Sequence, residues 1–320
     1  MNRYKDLNIN FGKAICYSGY RDGQRPGHKF PSYEEVREDL LLLEGHWKYL
    51  RLYDSGPHAE IVLDVIKNEK LDFQVMLSAY IEAEMNNFGC PWGGGVYSEE
   101  ELNTNRQKNI KEINRLIKMA NDYADIAFCL SVGNEATVEW TDHLVPVDRV
   151  IEYVRMVKKG AKQPVTFCEN YVPYHTKLAP LVAELDFISI HTYPVWEYKH
   201  IHDALEYTKE NYFGVANKYP DKPVMITEAG WATNSNGRGI DPDNVNEVLQ
   251  EIYYHDLTRW SEEEGIITFV FEAFDEKWKG SSDELEPEKH WGLFKSDRTP
   301  KKVMRPYFRH LVKEKVTLKK

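Results

Sequence analysis

Residues 49–77 hold the pattern from which the fold is read. Tyr49-Leu50-Arg51-Leu52-Tyr53 is a short run of strand formers, Ala59 to Asn68 reads as a helix, and Phe73-Gln74-Val75-Met76-Leu77 is a second short apolar run. Strand, helix and strand in about thirty residues make a βαβ unit, whose strands are parallel and whose crossover is right-handed. The same unit repeats in both directions. Upstream, Ala14-Ile15-Cys16-Tyr17 is a strand, and Glu34 to Glu44 is a helix behind a Ser32-x-x-Glu35 capping box. Downstream, strands are predicted at 126–132, 165–167, 187–190, 224–227 and 266–271. Helices are predicted at 99–123, 146–159, 178–184, 202–218 and 244–264, with a last one from Arg305 to Lys313.

Eight strands alternating with eight helices leave two architectures, an open doubly wound sheet and a closed barrel. The turn after the first strand, Ser18-Gly19-Tyr20-Arg21-Asp22-Gly23, is neither a dinucleotide nor a phosphate-binding loop, so the open nucleotide fold loses its main support. The count of eight favours a single (β/α)₈ TIM barrel of the α/β class. No Pro/Gly/Ser-rich linker divides the 320 residues, so residues 1–320 read as one catalytic domain with its core over roughly 11–313.

Composition narrows the function. With 41 Lys and Arg against 51 Asp and Glu, the net charge is −10 and no basic cluster appears, which disfavours nucleic acid, anionic lipid and polyanionic substrates. A neutral ligand fits better. No apolar run approaches the length of a membrane span, and no apolar leader follows Met1, so the chain as written reads as cytoplasmic, or as exported if a signal lies outside it. Cys16, Cys90, Cys129 and Cys168 are widely spaced and read as unpaired small hydrophobes, not as a metal or disulfide framework. Eight Trp and 20 Tyr are notable because flat aromatics cover the C–H faces of sugar rings. Trp92, Trp140, Trp196, Trp231, Trp278 and Trp291 all fall in segments that follow strands.

In this barrel the active site lies at the C-terminal ends of the strands. Strand two ends in Arg51, Tyr53 and Asp54; strand four in Gly133-Asn134-Glu135; strand five in Glu169-Asn170-Tyr171; strand six in His191-Thr192-Tyr193; strand seven in Thr227-Glu228-Ala229-Gly230-Trp231. Glu135 and Glu228 therefore face each other across the mouth. Paired carboxylates are what glycosidic cleavage requires: one protonates the leaving oxygen, while the other attacks the anomeric carbon or activates water. Asn134 is placed to bond a sugar hydroxyl beside the bond being cut.

The pattern Asn-Glu after strand four with Glu after strand seven resembles the large retaining-glycosidase clan. Within it, three segments resemble glycoside hydrolase family 17: Arg51-Leu52-Tyr53-Asp54; Thr227-Glu228-Ala229-Gly230-Trp231; and Phe271 to Lys279 followed by Glu288-Lys289-His290-Trp291-Gly292-Leu293-Phe294. Ala229 and Ala232 depart from the family's usual Thr and Pro. The resemblance implies a retaining glycosidase acting on a neutral β-1,3-glucan, with Glu135 as acid/base and Glu228 as nucleophile. It adds Tyr193 beside the nucleophile and Glu276, Lys279 and Glu288 as an auxiliary charged cluster. Tyr53, Asp54, Asn134, Asn170, Tyr171, Trp231, Trp92 and Trp291 complete the expected substrate-binding set. No cofactor or metal is implied, and the protein is expected to be a monomer.

Three other readings compete. A transglycosylase would use the same residues with a sugar acceptor. A non-catalytic glucan binder would not need both glutamates intact. A metal-dependent hydrolase would want clustered ligands, whereas His143, His175, His191 and His290 are scattered; His191 reads as a hydrogen-bonded residue of the mouth or as a substrate contact. The segment Asn86 to Tyr97, with Trp92 and three consecutive glycines, is expected to wall off one end of a cleft and limit how far a glucan extends.

Overall fold

The structure is a computed structural model, and it describes residues 3–312. Eight parallel strands pair in chain order and close on themselves: β1 (Ala14–Cys16), β2 (Tyr49–Arg51), β3 (Gln74–Ala79), β4 (Ala127–Asn134), β5 (Val165–Asn170), β6 (Ile188–His191), β7 (Val224–Ala229) and β8 (Thr268–Val270). Ala14 of β1 lies against Phe269 of β8 and completes the circle. The strand side chains are buried almost without exception, because a parallel barrel is covered inside and out. Tyr4 closes the floor: its hydroxyl donates to the Val224 carbonyl at 2.9 Å and accepts from the Ile267 amide at 3.0 Å.

The helices behind the strands are α1 (Tyr33–Leu43), α2 (Pro57–Glu69), α3 (Glu99–Asp122), α4 (Val147–Gly160), α5 (Tyr171–Thr176), α6 (Ala179–Glu184), α7 (Ile201–Lys218) and α8 (Glu247–Glu264). Local chemistry sets their starts. Ser32 and Glu35 form the expected capping box on α1, and Ser98 with Glu101 forms a second on α3.

The alternation is not as regular as the sequence reading. Two short helices, α5 and α6, fill the β5–β6 crossover, and among the described residues no α-helix follows β8. The helix expected over 305–313 is instead a series of turns with one short 3₁₀ segment, Arg309–Leu311, and Lys313 lies outside the described residues. Pro306 brings no N–H to that segment. Side-chain anchors also fix its path: buried Lys301 donates to Asp275 Oδ1 at 2.7 Å, and the Phe308 ring packs 4.5 Å from His46. Beside this segment, at the floor of the barrel, a cavity of about 300 Å³ opens among Lys13, His46, Trp47, Tyr254, His255 and Tyr307. It is on the opposite face from Glu135 and Glu228.

A buried ion pair anchors the segment after β8 to the start of the barrel. Arg298 donates through Nε to Asp39 Oδ1 at 2.7 Å and through Nη2 to the Gly19 carbonyl at 2.9 Å; Asp39 also accepts from the Tyr17 hydroxyl at 3.1 Å and has no exposed surface. Removing Arg298 leaves fully buried Asp39 with only the partly exposed Arg21, 3.1 Å away, to balance its charge. Arg298→Met is expected to cost about 3–5 kcal/mol in denaturant unfolding, and the double variant Arg298→Met, Asp39→Leu to recover much of that loss.

Candidate active site

The site is built where the strand ladder slips. β4 loses register with β5 between Ser131 and Asn134, β6 with β7 between Ile190 and His191, and β7 with β8 between Ile226 and Ala229. Such irregularities re-aim side chains at the end of a strand. At β4 the slip needs Gly133: its φ is +95°, and a Cβ there would stand 2.9 Å from Ile81 Cδ1. The next turn of chain leaves Glu135 itself left-handed, with φ +44°, its amide donating to the Cys168 carbonyl at 2.9 Å.

Glu228 is held from three sides. Wholly buried Arg51 donates to Glu228 Oε1 and, through its other amino group, to Asn134 Oδ1. The Tyr53 hydroxyl donates to Oε1 at 3.0 Å, and the Tyr193 hydroxyl to Oε2 at 2.6 Å. His191 stands between the two carboxylates, with Nδ1 2.9 Å from Glu135 Oε1 and 3.4 Å from Glu228 Oε2. One ligating atom from each of Glu135, His191 and Glu228 lies within 4.8 Å of the other two.

These contacts set the protonation states. Burial would raise the Glu228 pKa, but the charges of His191 and Arg51 and the Tyr193 hydroxyl hold it down, to about 2. Burial would lower the His191 pKa, but the Glu228 charge and contacts to Cys168 and Glu135 push it up to about 10. The two shifts run in opposite directions, and each favours the charged form of its group, Glu228 as carboxylate and His191 as imidazolium. The trio has the composition of a metal-ligand set, yet Arg51 and His191 already supply the positive charge that Glu228 faces.

Around this centre lies the charged cluster expected from the strand-eight segment. Lys279 bridges Glu272 at 2.7 Å and Glu276 at 2.9 Å, and Glu276 accepts from the Ser18 hydroxyl at 2.7 Å. Glu276 has no exposed surface, so it ties the β1 and β8 loops together from below. Glu288 is pushed up to about 7 by burial and by the charges of Glu228, Glu286 and Glu135, against the opposing pull of Lys279.

Of the expected binding residues, Tyr53, Asn134 and Tyr193 lie on the carboxylate pair. Trp291 is buried between Tyr193 and Trp196, at ring separations of 5.1 and 6.2 Å, with its indole N–H unpaired. Trp92 is half exposed at the rim. Four others are engaged elsewhere. Trp231 is buried, donating to the Asn244 carbonyl at 2.9 Å and packing on Tyr253, because the chain turns inward behind the barrel wall after Gly230. Asp54 accepts from the Gly56 amide at the entry to α2, Asn170 caps α5, and Tyr171 bonds Glu197 and Tyr207 outside the centre. Two residues absent from that set are central. Arg51 was visible as a lone cation inside an apolar strand, a position that demands a buried partner. His191 ends a strand beside both glutamates, which only the closed topology reveals.

Known proteins resemble this chain in sequence and in fold. A family model described as the BtgE/BtgC glycoside hydrolase domain matches residues 14–292, so the chain belongs to that family. A glucan 1,3-beta-glucosidase of Arthroderma benhamiae is 22% identical, over 87% of this chain and 86% of that protein. The btgC protein of Aspergillus niger is 26% identical over 85% of this chain but only 40% of its own length, so the chain spans well under half of that relative. Among solved structures, an endo-laminarinase from Formosa Hel1_33_131 superposes with a TM-score of 0.80 at 26% identity, over 96% of this chain and 89% of that one. A Rhizomucor miehei beta-1,3-glucanosyltransferase in complex with laminaritriose shares the fold, with a TM-score of 0.71 at 21% identity over 92% and 96%.

Among the charges that favour an ionised Glu228, that of His191 is the largest. His191→Asn removes it, so the Glu228 pKa should rise. The acid limb of the kcat/KM profile for glycoside hydrolysis is expected to move up by roughly 1–3 pH units. An unmoved acid limb would show that Arg51 and the tyrosines suffice.

Proposed function

We propose that this member of the BtgE/BtgC glycoside hydrolase family is a retaining β-1,3-glucan glycosidase, with Glu228 as nucleophile and Glu135 as acid/base. The observation that carries the reading is the approach of the two carboxylates, with facing oxygens within 4.8 Å. Retaining enzymes hold these groups about 5–5.5 Å apart, and inverting ones leave about 6.5–9.5 Å for an intervening water. The names of the family and of its glucan-active relatives supply the substrate class.

The electrostatics support this division of roles. A nucleophile must stay ionised, and Arg51, Tyr53, Tyr193 and His191 all favour the charged form of Glu228. Glu135 is the more open of the two and, apart from the shared His191, has none of these partners. In the first step Glu135 gives its proton to the departing oxygen while Glu228 Oε2 closes on the anomeric carbon. Ester formation removes the Glu228 charge, so Glu135 becomes free to take a proton from the incoming water. A sugar hydroxyl in place of that water makes the same machinery a transglycosylase, and the product mixture tells the two apart.

Glu228→Ala is expected to abolish turnover on every β-glucoside. Glu135→Ala should lose on the order of 10²–10⁴ on natural glucan, yet retain glycosylation from an activated aryl glycoside. Added azide should then restore its turnover and yield a β-glycosyl azide. An α-azide from Glu228→Ala, with no rescue of Glu135→Ala, would reverse the two roles.

A further inference from the structure

On one side the rim of the barrel is crossed by a long loop. The segment 86–97, which follows β3, rests on the segment after Glu135: Asn87 Nδ2 donates to the carbonyls of Glu139 and Thr141 at 2.7 Å each, and the Tyr97 hydroxyl donates to the Asp142 carbonyl at 2.9 Å. From that seat Trp92 reaches over to the far side. Its ring lies 6.3 Å from Trp196 of the β6 loop, and the Arg238 guanidinium of the β7 loop stacks 4.6 Å above it. Arg238 is in turn fixed by Glu286 of the β8 loop, 3.2 Å away; Glu286 is fully buried and also accepts from the Ser281 hydroxyl at 2.8 Å.

Two glycines make the contact possible. Gly239 has φ +75°, and a Cβ there would stand 2.4 Å from the Trp196 ring; Gly280 has φ +66°, and a Cβ there would stand 2.4 Å from Glu286. Loops from β3, β6, β7 and β8 are thus clasped through one stacked pair. The clasp spans the arc of the mouth above β5 and β6. The interior aromatic run from Tyr193 through Trp291 and Trp196 leads from the candidate nucleophile to its foot.

We propose that the Trp92–Arg238 clasp makes the cleft a dead end on the side of the departing sugar, so that the enzyme removes short pieces from the reducing end of a β-1,3-glucan instead of cutting within the chain. This rests on the proposed β-1,3-glucan activity and on the role given to Glu135. The covered arc carries the segment seated directly after Glu135, the group that protonates the leaving oxygen. The opposite arc, above β8, β1 and β2, is not crossed by this clasp and is where the retained part of the glucan lies. Trp92 and Arg238 decide the length of the released piece and take no part in bond cleavage.

The test sizes the products of a soluble linear β-1,3-glucan during the first few per cent of conversion, alongside oligosaccharides labelled at the reducing end. The wild type should release a narrow set of short products, with the label in the short fragment. Trp92→Ala, with a melting temperature close to that of wild type, and Arg238→Gln, assayed below its own melting temperature, should each raise the share of intermediate-length early products by roughly fivefold to tenfold. Arg238→Gln takes the cation off the ring but also leaves buried Glu286 without its counter-ion, so Trp92→Ala, which keeps that ion pair, is the variant that reads the clasp without dismantling the loops. Random intermediate products from the wild type, a label in the long fragment, or an unchanged product ladder in both folded variants would each overturn the inference. Absence of any β-1,3-glucan cleavage by the wild type would instead overturn the proposed function itself.

Discussion

The contact between Arg51 and Glu228 is the constraint around which the rest of this molecule is arranged. A guanidinium has been placed inside a barrel packed with apolar and small hydroxyl side chains, and it cannot shed its charge. Its two amino groups find acceptors in the candidate nucleophile and in Asn134, while Nε is left without one. The same two bonds orient residues from β4 and β7, on opposite sides of the mouth. Burial strengthens the arrangement, since interactions that water would screen keep their force in the interior. Each group is thereby made dependent on the other, and the chemistry of the site is continuous with the packing of the core.

The barrel itself was legible because strand and helix periods alternate so plainly, and because a parallel strand buried on both faces reads as an unbroken apolar run. Glu135 and Glu228 were legible for a related reason: each is a carboxylate at the end of such a run. The limits of the reading are equally physical. The loss of a helix after β8 depends on where Lys301 and Phe308 are anchored, which is tertiary information. Trp231 was expected at the mouth because it follows the nucleophile strand, but one turn of chain beyond Gly230 is enough to carry an indole behind the wall. His191 and Arg51 act through partners 37 to 177 residues away in sequence, and no local pattern announces such pairs.

The molecule divides its labour by depth. Strand ends, locked by the ladder and by buried charges, hold the groups that would touch the reacting bond. Higher up, the loops after β3, β6, β7 and β8 hold one another through stacked rings, one ion pair and glycine backbones. Changes at the upper level reshape what can be bound without disturbing the lower one, which is how a single barrel serves many substrates.

The left-handed backbone of Glu135 carries a different sort of consequence. A glutamate at φ +44° is held against its own conformational preference, whereas asparagine or glycine would occupy the same position with less strain. The most comfortable residue for the fold here is one that has no carboxylate. Given the role proposed for Glu135, a directed-evolution campaign that screens only for heat resistance will be drawn toward inactive proteins at this position, and would have to score turnover in every round to keep the glutamate.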